Sequence, residues 1–225
     1  MLGMGTQRDA VVFIDLDGCL VDSSSAIPNA MNAALVDIGL ATVPVGVILP
    51  LIGPPLQVFA VQLVQRAGGS REQAEPFARA YLGRYEERMA EDSTVYDGIP
   101  EALTKLAERS RLVVVTLKRQ ELAERLLAEL GLAGHLDFVV GADGTEAGKA
   151  PVLAQAIDRA RPSRAVMVGD QPDDMAAARH AQIPGLGVSW GFGAASDLIA
   201  AGATAIVDTP AELAATIDDM WGRQR

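Results

Sequence analysis

The stretch "VVFIDLDGCLVDS", residues 11–23, sets four apolar residues ahead of Asp15, one residue between Asp15 and Asp17, and Gly18 directly after. An apolar run without alternation is the pattern of a strand covered on both faces, as in a parallel sheet flanked by helices. Two carboxylates two positions apart share a face if the strand geometry persists, and they repel at that spacing. Gly18 lets the chain turn sharply and lets a ligand approach the backbone. An Asp-Gly turn is ordinary by itself, so the rest of the chain decides its meaning.

Further short β-branched runs recur at 112–116, 137–140, 164–169 and 185–189, with amphipathic stretches such as "IPEALTKLAERS", "QELAERLLAELG" and "APVLAQAIDRAR" between them. Strand–helix alternation predicts an α/β fold built on a doubly wound parallel sheet. The rhythm breaks from about Ser24 to Thr94, where only helical patterns are found. The expected organisation is a core from 1–23 and 95–225, with an inserted helical cap over 24–94. The insert follows the Asp pair, at the end of a strand where open α/β sheets bind ligands.

Other residues with chemistry stand at matching places. Thr116 ends the run "LVVVT", Lys149 opens the helix of "GKAPVL", and "VMVGDQPDDM" brings Asp170 to a strand end with Asp174 four residues on. Each has an ordinary reading, as a strand-end hydroxyl, an exposed lysine or a helix cap, with Asp173 as a first-turn acid. In a parallel sheet these ends converge on one crevice. Hard carboxylate oxygens in that number suit Mg²⁺, which also explains how the acids tolerate one another.

"DLDGCLVDS", the Thr116 strand end, Lys149 and "GDQPDD" resemble, in order and rough spacing, the four motifs of the haloacid dehalogenase-like hydrolases. "YDGIPEAL", "IGPPL" and "GVSWGFG" look like the phosphoglycolate phosphatase-like branch with a helical cap. The resemblance implies a phosphatase acting on a small phosphorylated metabolite through an aspartyl phosphate. Asp15 would be the nucleophile and Asp17 the general acid and base. Mg²⁺ would be held by Asp15, the Asp17 backbone carbonyl, Asp170 and Asp174, with Asp174 binding directly or through water. Thr116 and Lys149 would bind the phosphoryl oxygens. Two other readings share parts of this constellation: a phosphosugar mutase, and a phospho-accepting signalling protein without turnover.

Cys19 stands where the family often has Thr, and reads as a packing residue. Lys118 reads equally as a cation near the substrate or a surface residue. Gly53, in "LIGPPLQ", belongs either to a stiff loop facing the site or to an interhelix turn; Trp190 either borders the pocket or anchors the core. Arg66, Arg71, Arg79, Arg84 and Arg88 read mostly as partners of glutamates on their own helix.

Composition narrows the remainder. Formal net charge is −10 with no run of Lys and Arg, which argues against nucleic acid. One cysteine excludes an intramolecular disulfide. "EAGKAP" fails as a P-loop, since Asp143 stands where the first Gly is required. The opening "MLGMGTQRDA" has no long apolar segment, and no window is long enough to span a membrane. The expectation is a cytoplasmic monomer or homodimer with neither a membrane nor a nucleic-acid partner.

Overall fold

The computed structural model describes residues 9–142 and 148–222. The reading of residues 1–8 and the Asp143 position of the rejected P-loop lie outside them. Contacts divide the chain into two compact units: one of the described residues up to Val21 and from Val95 onward, the other of Asp22–Thr94.

In chain order, β1 (Ala10–Ile14) and β2 (Val21–Asp22) precede α1 (Ala26–Asp37), α2 (Val45–Ile48), α3 (Leu56–Arg66) and α4 (Ala74–Arg88). Then come β3 (Thr94–Val95), α5 (Ile99–Ala107), β4 (Arg111–Arg119), α6 (Gln120–Glu129), β5 (Phe138–Ala142) and α7 (Lys149–Ala160). Last are β6 (Arg164–Gly169), α8 (Pro172–His180), β7 (Gly185–Val188), α9 (Ala195–Ala201), β8 (Ala205–Val207) and α10 (Leu213–Gly222).

The first unit is the expected doubly wound α/β core. Its strands run β5-β4-β1-β6-β7-β8, each neighbouring pair parallel. The order reverses around the central β1, the topological switch point at which such sheets bind ligands. Val11, Phe13, Val113, Val115 and Met167 form one buried cluster with Val152, Leu153 and Ala156 of α7 and Ala177 and Ala178 of α8. Val12, Ile14, Val114, Val166 and Val168 are fully or almost fully buried too. Burial of alternate residues on both sides is why these strands read as unbroken apolar runs. Each such side chain contributes roughly 1.5–3 kcal/mol relative to exposure.

Register fixes what emerges from the sheet. Ile14 pairs with Val114 on one side and Val168 on the other. The N–H of Asp15 continues the ladder to the carbonyl of Val168, at 2.9 Å. Asp15 thus stands level with Val115 on β4 and Gly169 on β6, which brings Thr116 and Asp170 to the same edge of the sheet.

Two details depart from the sequence reading. Strand β4 does not end at Thr116 but runs to Arg119, with a register irregularity between Val115 and Arg119. A sixth strand, β8, adds an edge that its three residues were too short to announce.

In the second unit, Phe77, Tyr81 and Tyr85 recur every fourth residue on α4 and form a stripe. Their rings follow one another at 6.3 and 5.6 Å between centroids. Arg84 makes a two-pronged pair with Asp37 of α1, both bonds 2.8 Å, so its main partner lies on another helix and not on its own. β2 and β3 form a two-stranded sheet where the chain passes from one unit to the other. Among the described residues no helix is long and apolar enough to cross a membrane.

Candidate active site

Asp15, Thr116, Lys149, Asp170 and Asp174 are all buried at the C-terminal edge of the first unit's sheet, and Asp17 is half-buried beside them. Lys149 occupies the first turn of α7, and its ammonium reaches Asp15 Oδ1 at 2.5 Å, Asp174 Oδ1 at 2.9 Å and the Val115 carbonyl at 3.2 Å. Two of these are hydrogen bonds, to Asp15 and the Val115 carbonyl, and the third is an ion pair with Asp174, whose Oδ1 accepts no hydrogen bond among the described residues. The backbone N–H of Lys149 donates to Asp173 Oδ2 at 2.8 Å. Asp173 thus caps the neighbouring helix rather than serving only as a first-turn acid of its own.

Asp174 lies in the first turn of α8, where its Oδ2 accepts the Gln171 N–H at 3.0 Å. Asp170 ends β6. Its Oδ2 accepts the Phe192 N–H at 2.8 Å and the Gln171 side-chain amide at 3.1 Å, while its Oδ1 is buried with no hydrogen-bond partner among the described residues. Ligand atoms of Asp15, Asp170 and Asp174 lie within 4.8 Å of one another.

The turn after Asp15 is shaped by close packing. Gly18 has φ +82, and a Cβ there would sit 2.3 Å from Asp170 Oδ2. At Gly191 a Cβ would sit 2.3 Å from Asp170 Cβ and 2.4 Å from the Gly18 carbonyl. Trp190 donates its Nε1–H to the Cys19 carbonyl at 3.0 Å, pinning that turn. The segment 189–193 therefore wraps Asp170, and Trp190 anchors the loop that carries Asp17.

Lys118 is not a surface residue. Its ammonium stands 2.9 Å from Asp17 Oδ2, with side-chain exposures of 7% and 15%. Thr116 Oγ1 accepts the Lys118 N–H at 3.1 Å, fixing the hydroxyl against the backbone of the irregular stretch.

Electrostatics follow from the crowding. Burial pushes Asp15 up to about 7, against the pull of Lys149 and with the push of Asp174 and Asp17. Burial and the neighbouring Asp15 raise Asp170 to about 7. Burial raises Asp174 to about 6, with Lys149 opposing. Burial alone would lower Lys149, but Asp15 and Asp174 hold its ammonium well above the ordinary value. Burial, reinforced by Asp15, Asp170 and Asp174, pushes the Cys19 thiol up, so it stays protonated and packs as a small apolar group. The carboxylates share protons near neutrality unless a cation replaces them. Three converging hard oxygens, with Asp170 Oδ1 unspent, fit a small divalent cation.

A profile of the haloacid dehalogenase-like hydrolases matches residues 11–188. The chain belongs to this family. Among curated proteins, phosphoglycolate phosphatase of Chromobacterium violaceum is 34% identical over 223 residues, covering 93% of this chain and 97% of the relative. Tyrosine-protein kinase PtkA of Mycobacterium tuberculosis is 37% identical over 216 residues, covering 93% of this chain and 70% of the relative. A predicted phosphatase from Clostridium acetobutylicum superposes with a TM-score of 0.84 at 28% identity, covering 93% of this chain and 98% of that one. This haloacid dehalogenase-like hydrolase is of the phosphatase kind, in the phosphoglycolate phosphatase-like branch.

Of the residues singled out from sequence, the first unit of this hydrolase gathers Asp15, Asp17, Thr116, Lys118, Lys149, Asp170, Asp174 and Trp190. Gly53 belongs to the second unit, in the loop before α3, with φ 130. Sequence reasoning passed over Gln171 and the Phe192 N–H, which hold Asp170 in place, and read Asp173, which holds the Lys149 N–H, only as a first-turn acid. Only the Asp-Asp pair at 173–174 hinted at them, and it did not show that Asp173 reaches α7.

Proposed function

We propose that the chain hydrolyses a small phosphomonoester by way of an aspartyl phosphate on Asp15, with Mg²⁺ held by Asp15, Asp170, Asp174 and the Asp17 carbonyl. The observation that carries this is the buried Asp15, paired at 2.5 Å with Lys149 inside the acidic cluster and two residues from Asp17. A bound Mg²⁺ supplies charge that lets a carboxylate approach a phosphate dianion.

The chain's own residues account for the rest. An oxygen of Asp15 forms the bond to phosphorus as the ester P–O bond breaks. Asp17 gives a proton to the departing alkoxide, then takes one from the water that attacks the aspartyl phosphate, releasing phosphate and restoring Asp15. Lys149 and the Thr116 hydroxyl bind the phosphoryl oxygens as negative charge shifts onto them. The helical unit, 24–94 in the sequence reading, serves as the cap that excludes water and selects the substrate. The likeness to phosphoglycolate phosphatases favours 2-phosphoglycolate as the ester. We place the enzyme in the cytoplasm as a monomer or homodimer, without nucleic-acid or membrane partners.

The test is phosphate release from small phosphomonoesters and an aryl phosphate, with Mg²⁺ or EDTA, by wild type and Asp15→Asn. Metal-dependent release lost in the variant supports the reading; release that survives the variant refutes the nucleophile. A second reading, transfer of the phosphoryl group to a tyrosine hydroxyl, is favoured by the 37% identity to a protein named as a tyrosine kinase. Labelled ATP with a tyrosine-containing acceptor separates the two: phosphotyrosine without ester hydrolysis supports the second.

A further inference from the structure

Each of the three buried carboxylates has one oxygen committed to an N–H of the protein. Asp15 Oδ1 meets the Lys149 ammonium at 2.5 Å. Asp174 Oδ2 accepts the Gln171 backbone N–H at 3.0 Å, and it packs so closely on Gly169 that a Cβ there would sit 2.2 Å away. Asp170 Oδ2 accepts two bonds, from the Phe192 N–H at 2.8 Å and the Gln171 side-chain amide at 3.1 Å. A carboxylate oxygen has about two lone pairs, so both of this one's are engaged. Asp170 Oδ1 is buried with no hydrogen-bond partner among the described residues.

Gln171 therefore anchors two of the three acids, Asp174 by its backbone and Asp170 by its side chain. The backbone N–H groups of 171 and 192 would be present with other side chains at those positions. Only the amide depends on glutamine. The terminal torsion of an aspartate is broad, so its carboxylate takes its orientation from its partners. With the amide gone, Phe192 alone would hold Asp170 Oδ2, and the carboxylate could turn.

Orientation bears on which ion the cluster suits. Mg²⁺ is small, demands near-octahedral geometry and keeps several waters, so carboxylates that each offer one oxygen match it. Ca²⁺ is larger, takes roughly 6–8 oxygens in flexible arrangements and readily uses both oxygens of one carboxylate. Selection between the two ions follows ligand number and rigidity.

We propose that Gln171 is a positioning residue that sets the preference of the cluster for Mg²⁺ over Ca²⁺, by holding Asp170 to a single available oxygen. This rests on the reading of Asp15, Asp170 and Asp174 as a Mg²⁺ site, and it adds the residue that separates two ions of equal charge.

Calorimetric titration of the metal-free full chain with Mg²⁺, and separately with Ca²⁺, tests this without turnover. Wild type is expected to bind Mg²⁺ more tightly. Gln171→Met keeps a side chain of similar length and removes its donor. Its Mg²⁺ affinity is expected to fall by about 10- to 100-fold, as when a ligating carboxylate loses its hydrogen-bond partner, with Ca²⁺ affinity unchanged or higher. A wild type that binds Ca²⁺ as tightly as Mg²⁺ overturns the inference whether or not the variant folds. Equal weakening of both ions in Gln171→Met also overturns it, because Gln171 would then merely stiffen the turn. Phosphate release by the same wild-type preparation keeps the phosphatase reading separate: release without the ion preference defeats this inference alone. Binding of neither ion by wild type defeats the inference together with the metal site.

Discussion

Charge is handled in opposite ways at the acidic edge of the first unit's sheet and on the helices of the second unit. In the first, Lys149, Asp15 and Asp174 form ion pairs with side-chain exposures of 5%, 8% and 0%. In the second, Arg79 and Glu75 pair at exposures of 75% and 86%, and Arg84 and Asp37 at 45% and 34%. Exposed pairs are screened and add little to stability, whereas buried ones become costly as soon as one partner is lost. The helical unit keeps its charge near the surface, where Arg84 and Asp37 tie α4 to α1. The core concentrates charge where water has been removed, which burdens stability and benefits phosphoryl chemistry.

Asp15→Asn should break this contrast most sharply. Ester hydrolysis is expected to fall by about 10⁴-fold or more, as when a nucleophile is removed. Thermal melting of the metal-free variant should stay close to wild type, because Lys149 keeps its pair with Asp174 while one of several crowded carboxylates has gone. A melting point well below wild type would mean that Asp15 holds the fold rather than serving the chemistry.

Lys149→Met should come next, through stability. It leaves Asp15 and Asp174 without their cation, a loss of about 3–5 kcal/mol for a broken buried pair. Urea denaturation at pH 7 without metal reads it directly, and a midpoint unchanged from wild type would refute the assignment.

The pH dependence is smaller and has a definite sign. Asp15 and Asp170 stand at about 7 and Asp174 at about 6, all raised in the folded protein chiefly by burial. From roughly pH 4, the ordinary carboxylate value, to pH 7 the metal-free folded state keeps protons that the unfolded chain has released. Its stability contribution from these groups is thus full at the acid end and is lost as pH rises through 6 and 7. EDTA-treated protein should have a lower urea midpoint at pH 8 than at pH 5, and Mg²⁺ should raise the pH 8 value more. Equal stabilisation by Mg²⁺ at both pH values would contradict the cluster as its binding site.

Arg84→Ala, in the helical unit, should do least. The melting temperature is expected to move by no more than about 2 °C, and by less still in high salt. A large drop would erase the distinction between the units.

Much of the core could be read from its residues. Runs such as "VVFI" and "RAVMVG" are buried on both faces, so their composition states their environment, and acids placed right after them are conspicuous. Lys118 could not be placed that way. Its direction depends on the irregularity after Val115, and a local break in register leaves no periodic trace in sequence. Phe192 was passed over, and Asp173 read only as a first-turn acid, for different reasons. Phe192 acts through its own backbone N–H, which any residue type supplies, and Asp173 through a carboxylate whose partner on α7 stands 24 residues away in sequence. The short β8, three residues long, gave too little pattern to count.

The Trp190 bond to the Cys19 carbonyl gives the protein an optical gauge. The chain has two tryptophans, and the other, Trp221, is buried with the Arg164 guanidinium 4.7 Å from its ring. Trp190 is half-buried, and its indole N–H is tied to the turn that carries Asp17. Any movement of that turn alters the indole's hydrogen bond and its contact with water, and so shifts the emission wavelength. In a Trp221→Phe background the colour of one side chain follows the site through a catalytic cycle without an added label.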